Sequence, residues 1–195
     1  MILSKRIATI AAMAAFSLGL TANSGAKSLH TTHLRPGAAV ASTEYHLRMH
    51  HLHTGEDIDI VYRVGDTYIP AALDQLNYFL RDHRTQDVSS YDPKEFDVLH
   101  AIMARLGRPN GIIDIICGYR TPESNNFLRT LGPDTGVAEH SQHMLAKAID
   151  IRVPGVSTRA LRNAALALHA GGVGFYPVSQ FVHVDVGPVR TWSFR

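Results

Sequence analysis

The segment Ser141–Asp150, with the sequence SQHMLAKAID, carries a histidine, His143, and an aspartate, Asp150, at the edges of an apolar run. From Ala148 to Val153 the chain reads as a β-strand, and Asp150 lies inside it. An ionised carboxylate in an apolar strand is costly unless it is paired or binds a cation. The segment therefore predicts a cationic partner for Asp150.

A second strand is predicted over the segment FVHVD, residues 181–185. Because side chains of a strand alternate with a period of two, His183 and Asp185 point to the same face. The two imidazoles and the carboxylate of His143, Asp150 and His183 form the ligand set of a catalytic zinc site with one open position. The chain contains 12 histidines, so some proximity arises by chance, and the strand context carries the interpretation. With 1 cysteine in the chain, a thiolate site is excluded.

The N-terminus reads as a secretory signal peptide over residues 1–28. A basic pair precedes the apolar stretch Ile7–Leu20, which is too short for a comfortable membrane span. A retained N-terminal anchor is the alternative. We expect a linker over residues 29–44 and a single domain over residues 45–195, located in the periplasm without stable membrane insertion once the signal is removed.

The composition narrows the classes of partner. The net charge is +2, and no basic run is interleaved with aromatic residues, so we expect no nucleic-acid partner. The lone cysteine, Cys117, cannot form an intrachain disulfide. An exported protein without disulfides suits the bacterial periplasm, where cysteine use is optional.

The periodicity of apolar residues predicts an initial stretch of strands, then helices, and then strands with intervening helices. Strands are expected within residues 45–69, 112–117, 148–153 and 173–186, and helices over residues 70–82, 93–107, a short stretch after Pro122, and 157–169. This order predicts an α+β fold in which helices pack on a mainly antiparallel sheet.

Several motifs, in the same order along the chain, resemble those of the YcbK-like murein endopeptidases. This group is the murein endopeptidase K branch of the lysostaphin, D-Ala-D-Ala peptidase and hedgehog zinc peptidase superfamily. The resemblance extends over about residues 46–192 and rests on the motifs His53-Thr54-Gly55-Glu56, Arg81-Asp82-x-Arg84, Gly118-Tyr119-Arg120-Thr121-Pro122, Ser141-x-His143, Ala148-x-Asp150, Gly171-Gly172-Val173-Gly174-Phe175-Tyr176, Phe181-Val182-His183-Val184-Asp185-x-Gly187 and Arg190-x-Trp192.

The resemblance implies a hedgehog/D-Ala-D-Ala peptidase-like fold and hydrolysis of peptide cross-bridges in peptidoglycan. It implies a Zn²⁺ ion held by His143, Asp150 and His183. It also implies that Arg120 lies near the site and binds a substrate carboxylate or the developing oxyanion, for which an arginine fork is suited. Tyr176 is a candidate for a residue that contacts the peptidoglycan peptide.

The general base is where the chain departs from its relatives. Many relatives carry Glu three residues before the last histidine ligand, but Gln180 stands there and cannot take a proton at neutral pH. Others use a histidine at the position of Phe181. Asp185 is the first candidate base and His140 the second. Asp185 could instead orient a ligand histidine, or the metal could activate water without a dedicated base.

Two alternatives follow from the same residues. The missing glutamate favours a zinc-containing peptidoglycan-binding module with weak or no catalysis. A non-haem iron oxygenase also uses two histidines and a carboxylate, but its usual order is His-x-Asp followed by a distal histidine. No histidine follows His183, so that reading is set aside. The superfamily usually has Gly at the position of Ala146, and we expect alanine to be tolerated if its backbone angles are ordinary.

Overall fold

The computed structural model describes residues 42–132 and 135–194. The predicted signal peptide and nearly all of the predicted linker lie outside these residues, so their boundaries stay predictions. Among the described residues, no helix has the length and apolar character needed to cross a membrane.

The described residues contain eight strands and four α-helices, close to where the periodicity places them. In chain order they are β1 (Glu44–His51), β2 (Asp57–Val64), β3 (Thr67–Tyr68), α1 (Pro70–Phe79), α2 (Lys94–Arg105), β4 (Ile112–Cys117), α3 (Pro122–Arg129), β5 (Ala148–Arg152), α4 (Thr158–Leu166), β6 (Gly172–Tyr176), β7 (Phe181–Asp185) and β8 (Arg190–Ser193). Two helices end about one turn earlier than predicted, α1 at Phe79 and α4 at Leu166. Strand β8 was not predicted, because its four residues show no clear alternation.

All eight strands join one sheet in the order β3-β2-β1-β4-β5-β7-β6-β8. The pairs β1–β4 and β6–β8 are parallel. The remaining five pairs are antiparallel. The predicted α+β class with a mainly antiparallel sheet is therefore confirmed.

Burial of apolar side chains between the sheet and helices α1, α2 and α4 forms the core. Helix α2 buries Phe96, Leu99 and Ile102 on one stripe, as its apolar spacing requires. In β5, Ile149 and Ile151 belong to this core. Asp150, between them, points to the opposite face because strand side chains alternate. The sheet thus places its polar site on the face away from the core.

Candidate metal centre

Three side chains stand side by side on three neighbouring strands. Cys117 of β4 is the register partner of Asp150 in β5, and Asp150 is the register partner of His183 in β7. Residues directly opposite each other in a sheet have side chains on the same face. The antiparallel register therefore brings two of the predicted zinc ligands together.

The third predicted ligand, His143, reaches this row from a single 3₁₀ turn, Gln142–Leu145. The Ser141 hydroxyl caps the turn by accepting a hydrogen bond from the His143 amide at 3.3 Å. The Arg120 amide donates to the His143 carbonyl at 3.2 Å, which ties the turn to the segment after β4. The turn is thereby held against the end of the sheet.

The ligand atoms of the three predicted zinc ligands converge. His143 Nε2 lies 3.1 Å from His183 Nδ1 and 3.3 Å from Asp150 Oδ1, and His183 Nδ1 lies 2.9 Å from Asp150 Oδ1. Ligand atoms about 2.0–2.2 Å from a tetrahedral zinc lie about 3.3–3.6 Å from one another. The three atoms need to separate only slightly to take one ion.

For each imidazole, the hydrogen bond on the side away from the other ligands determines which ring nitrogen carries a proton. His143 Nδ1 lies 2.8 Å from the carbonyl oxygen of Gly118, which can only accept, so Nδ1 carries the proton. His183 Nε2 lies 2.9 Å from Asp185 Oδ2 and donates to that carboxylate. His143 Nε2 and His183 Nδ1 are then the nitrogens that would bind a cation in place of a proton, the arrangement that metal-ligating histidines use.

Asp185 is surrounded by donors. Besides His183, its carboxylate accepts hydrogen bonds from the amides of Gly172 and Gly187 at 3.0 and 2.8 Å and from Arg190 at 2.7 and 3.1 Å. Burial opposes ionisation, but the hydrogen bonds from His183 and Arg190 outweigh it and hold the pKa of Asp185 well below its usual range. This carboxylate stays ionised and orients His183, which favours the second of its two predicted roles.

Two glycines of β6 let side chains of β8 reach across to β7. A Cβ on Gly174 would lie 2.6 Å from the Trp192 ring, and a Cβ on Gly172 would lie 2.4 Å from both Arg190 and Asp185. Across these gaps Trp192 packs on His183, with ring centroids 5.1 Å apart. Strand β8, which sequence reasoning missed, therefore supports both residues of β7.

The charges of the site favour a cation at its centre. Burial would lower the pKa of His143, but the Asp150 carboxylate raises it to about 10. Burial would also raise the pKa of Asp150, but the attraction of His143 holds it well below its usual range. Without a metal, protonated His143 supplies the positive charge that offsets the cost of burying this carboxylate, and a metal ion that displaced the proton would supply it instead.

A cavity of about 150 Å³ opens onto these ligands. It collects six of the seven predicted site residues: Arg120, His140, His143, Asp150, Tyr176 and His183. His140 is exposed at its rim. Asp185, by contrast, is 1% exposed and is not among the described residues that line the cavity. It therefore lies behind His183, away from where a substrate would bind.

Comparison with known sequences gives the family. A profile of the family described as peptidoglycan L,D-endopeptidase MepK matches residues 39–192. The chain belongs to this family. The probable peptidoglycan L,D-endopeptidase MepK of Haemophilus influenzae is 41% identical over 147 residues, covering 75% of this chain and 78% of that protein. The peptidoglycan L,D-endopeptidase MepK of Escherichia coli K12 is 42% identical over 146 residues, covering 75% and 79%. No solved structure gives a significant match.

Cys117 is the residue near the MepK-family site that sequence reasoning missed. Its sulfur lies within 4.8 Å of ligand atoms of His143 and Asp150, and it accepts a hydrogen bond from Arg120 at 3.3 Å. A β-bulge between Ile115 and Cys117 turns the side chain away from the core face that simple alternation predicts. The sequence analysis excludes a thiolate site because the chain has one cysteine, and the structure places that cysteine beside the predicted ligands.

Ala146 also differs from expectation. Its φ is +49°, in the left-handed region, where the superfamily's usual glycine carries no steric cost. The residue is fully buried and ends the 3₁₀ turn that bears His143. The backbone angles are therefore not ordinary, and the alanine is held there by the packing around it.

Proposed function

We propose that this protein is an exported zinc metallopeptidase that hydrolyses peptide cross-bridges of bacterial peptidoglycan. Membership of the MepK family supports a peptidase, and the names of the curated relatives point to peptidoglycan and to a bond between an L- and a D-configured centre. The observation that carries the proposal is the meeting of His143 Nε2, Asp150 Oδ1 and His183 Nδ1 within 3.3 Å of one another.

The donor set fits zinc. Two neutral imidazole nitrogens and one carboxylate oxygen are ligands that zinc prefers, and an open cavity beside them is typical of a catalytic site. His143, Asp150 and His183 would hold the ion. When bound, zinc supplies Lewis-acid polarisation of a carbonyl and lowers the pKa of water. Asp185 keeps His183 in the tautomer and orientation that ligation needs.

Arg120 would bind an anionic group of the substrate. It is 7% exposed, and its guanidinium lies 3.1 Å from Asn125 Oδ1 and 3.9 Å from Asp150 Oδ2. Its Nε has no hydrogen-bond partner among the described residues. Arg120 lines the cavity, so its guanidinium would attract a substrate carboxylate at this edge.

His140 is the remaining candidate for moving protons. It lies at the exposed rim of the cavity, three residues before His143. Histidine is suited to acid–base catalysis near neutral pH. We propose it as the general base, with activation of water by the metal alone as the alternative if His140 proves dispensable.

Digestion of purified sacculi tests the proposal. We expect the mature protein to release peptides cut at a cross-bridge bond, identified by mass, and we expect a chelator to stop the release. His143→Ala should lose zinc and activity together. The matched control, His50→Ala, removes a half-buried histidine of β1 that pairs with Asp57 and should retain both zinc and activity.

The outcomes separate two functions. A zinc-loaded protein that binds sacculi but releases no peptide contradicts the peptidase and supports the binding module. Muropeptides of defined stereochemistry then test the bond: only those with an L,D linkage should be cut. Recovery from the periplasm of a protein lacking about the first 26 residues would support the signal peptide, whereas an intact N-terminus would support the anchor.

A further inference from the structure

Tyr176 stands at the end of β6, on the same face of the sheet as the predicted zinc ligands. Its ring stacks on Phe181, with centroids 4.2 Å apart and planes 12° from parallel. Gly174, two residues earlier on this face, is the register partner of His183. The register thus sets Tyr176 one position further along the sheet from the His183 imidazole, with its ring lining the cavity.

A single hydrogen bond determines that the oxygen of the Tyr176 hydroxyl acts as an acceptor. Trp192 Nε1 lies 3.0 Å from the phenolic oxygen. The indole nitrogen can only donate, so the tyrosine oxygen accepts this bond. Within residues 42–132 and 135–194, no acceptor meets the tyrosine's own proton. The O–H therefore remains available to a ligand in the cavity.

The partner that orients the hydroxyl is itself held in place. The Trp192 indole lies over Gly174, packs on the His183 ring and carries the Arg190 guanidinium 5.0 Å from its ring centroid. A donor whose direction is fixed before the substrate arrives needs no reorganisation during the reaction. Trp192, which itself packs on the predicted ligand His183, therefore holds the Tyr176 hydroxyl in place before the substrate binds.

We propose that the Tyr176 hydroxyl is a catalytic hydrogen-bond donor to the carbonyl oxygen of the scissile peptide, as that oxygen gains negative charge. This inference rests on the proposed peptidase function. The proton stays on Tyr176 throughout, so the step forms one hydrogen bond and moves no electrons to or from the protein. Burial raises the pKa of Tyr176, and the Asp150 charge adds to that increase, which keeps the hydroxyl protonated.

Arg120 and Tyr176 lie on different sides of the cavity and have different proposed roles. Arg120 follows β4, on the Asp150 side, and shares its guanidinium with Asn125 and Cys117. Tyr176 ends β6, on the His183 side. With the predicted ligands between them, Arg120 is placed to hold a substrate carboxylate and Tyr176 to meet the reacting carbonyl.

The test compares Tyr176→Phe with the parent enzyme and with Tyr78→Phe, which removes an exposed hydroxyl on α1. Loss of one preorganised donor typically lowers kcat by about 10²–10³-fold. We expect that loss in Tyr176→Phe, with KM within about twofold, full zinc content, and an equal loss of affinity for a phosphinate analogue of the scissile bond but not for the cleaved product. Trp192→Phe, which keeps a ring but removes the donor, should lower kcat by about tenfold.

The remaining outcomes would contradict either this inference or the proposed peptidase function. If Tyr176→Phe keeps kcat, or raises only KM, the hydroxyl is not a catalytic donor. If it loses zinc, the residue acts on the metal site and the inference is wrong. If the parent cuts no muropeptide at all, the proposed peptidase function fails and the inference fails with it, whereas an active parent with an unimpaired Tyr176→Phe contradicts the inference alone.

Discussion

The Nε2 atom of His183 donates a hydrogen bond to the Asp185 carboxylate at 2.9 Å, within a single strand. The two side chains share a face of β7 because they are two residues apart. The far nitrogen of the same imidazole lies 2.9 Å from Asp150. His183 thus connects a carboxylate that faces the cavity with one that is buried behind it.

Asp185→Asn tests whether this buried carboxylate orients the histidine or acts as a base. If it orients His183, we expect zinc affinity to fall by about 10–100-fold, with the rate largely restored at saturating zinc. Loss of a general base would instead lower the rate by about 10²–10⁴-fold at any zinc concentration. Zinc titration followed by hydrolysis measurements at saturation distinguishes the two. A persistent large loss would return Asp185 to the role of base.

His140→Ala tests the remaining candidate base. The side chain is exposed at the cavity rim, and within the described residues it makes no hydrogen bond to a predicted ligand, so bound zinc and thermal stability should be unchanged. We expect kcat to fall by about 10²-fold or more, the low end for a general base. A parent-like kcat would exclude His140, and activation of water by the metal alone would become the simplest account.

Gly174→Ala tests whether the absence of a side chain at Gly174 allows Trp192 to pack on His183. The added Cβ would lie 2.6 Å from the indole, so the ring must move. Overpacking of this kind costs about 1–3 kcal/mol. Trp192 is the 1 tryptophan of the chain, so a shift of its fluorescence emission reports the displacement directly. Gly132→Ala, where no atom of the part of the chain that the structure describes lies within 4 Å of the new Cβ, should leave stability and emission unchanged.

Acid should destabilise the protein through two histidines near the β1–β2 turn, the buried His51 and the half-buried His83, which stacks on His53. Burial, assisted by the charge of His53, lowers the pKa of His51 to about 4, and burial with the charge of Arg84 lowers that of His83 to about 4. The unfolded chain therefore binds more protons between about pH 6.5 and 4, and stability falls as the pH falls through this window. For His51 the loss is on the order of 3 kcal/mol at most.

Urea unfolding as a function of pH measures this loss. His51 Nδ1 accepts hydrogen bonds from the amides of His53 and Thr54, and asparagine can offer an acceptor at a similar place. His51→Asn should therefore reduce the pH dependence below pH 6.5 and leave the contribution of His83. An equal acid loss in parent and variant would show that His51 does not contribute.

Local pattern was enough to predict much of the fold and the candidate ligands. The alternation around Asp150 and His183 identified two strands, and the apolar stripe of α2 identified a helix, because both signals depend on neighbours in the sequence. The ends of helices and the short strand β8 were missed, since four residues carry too little periodicity and helix ends depend on tertiary contacts.

The sequence by itself determined which residue types could bind a cation and on which strands they lie. Only the tertiary structure decided what each does. The bulge that aims Cys117 at the site, the register that sets Trp192 over Gly174, and the donors that occupy Asp185 all come from segments far apart in the chain. The lone pairs left free on a carboxylate or an imidazole depend on those distant neighbours, and spacing along one strand cannot reveal them.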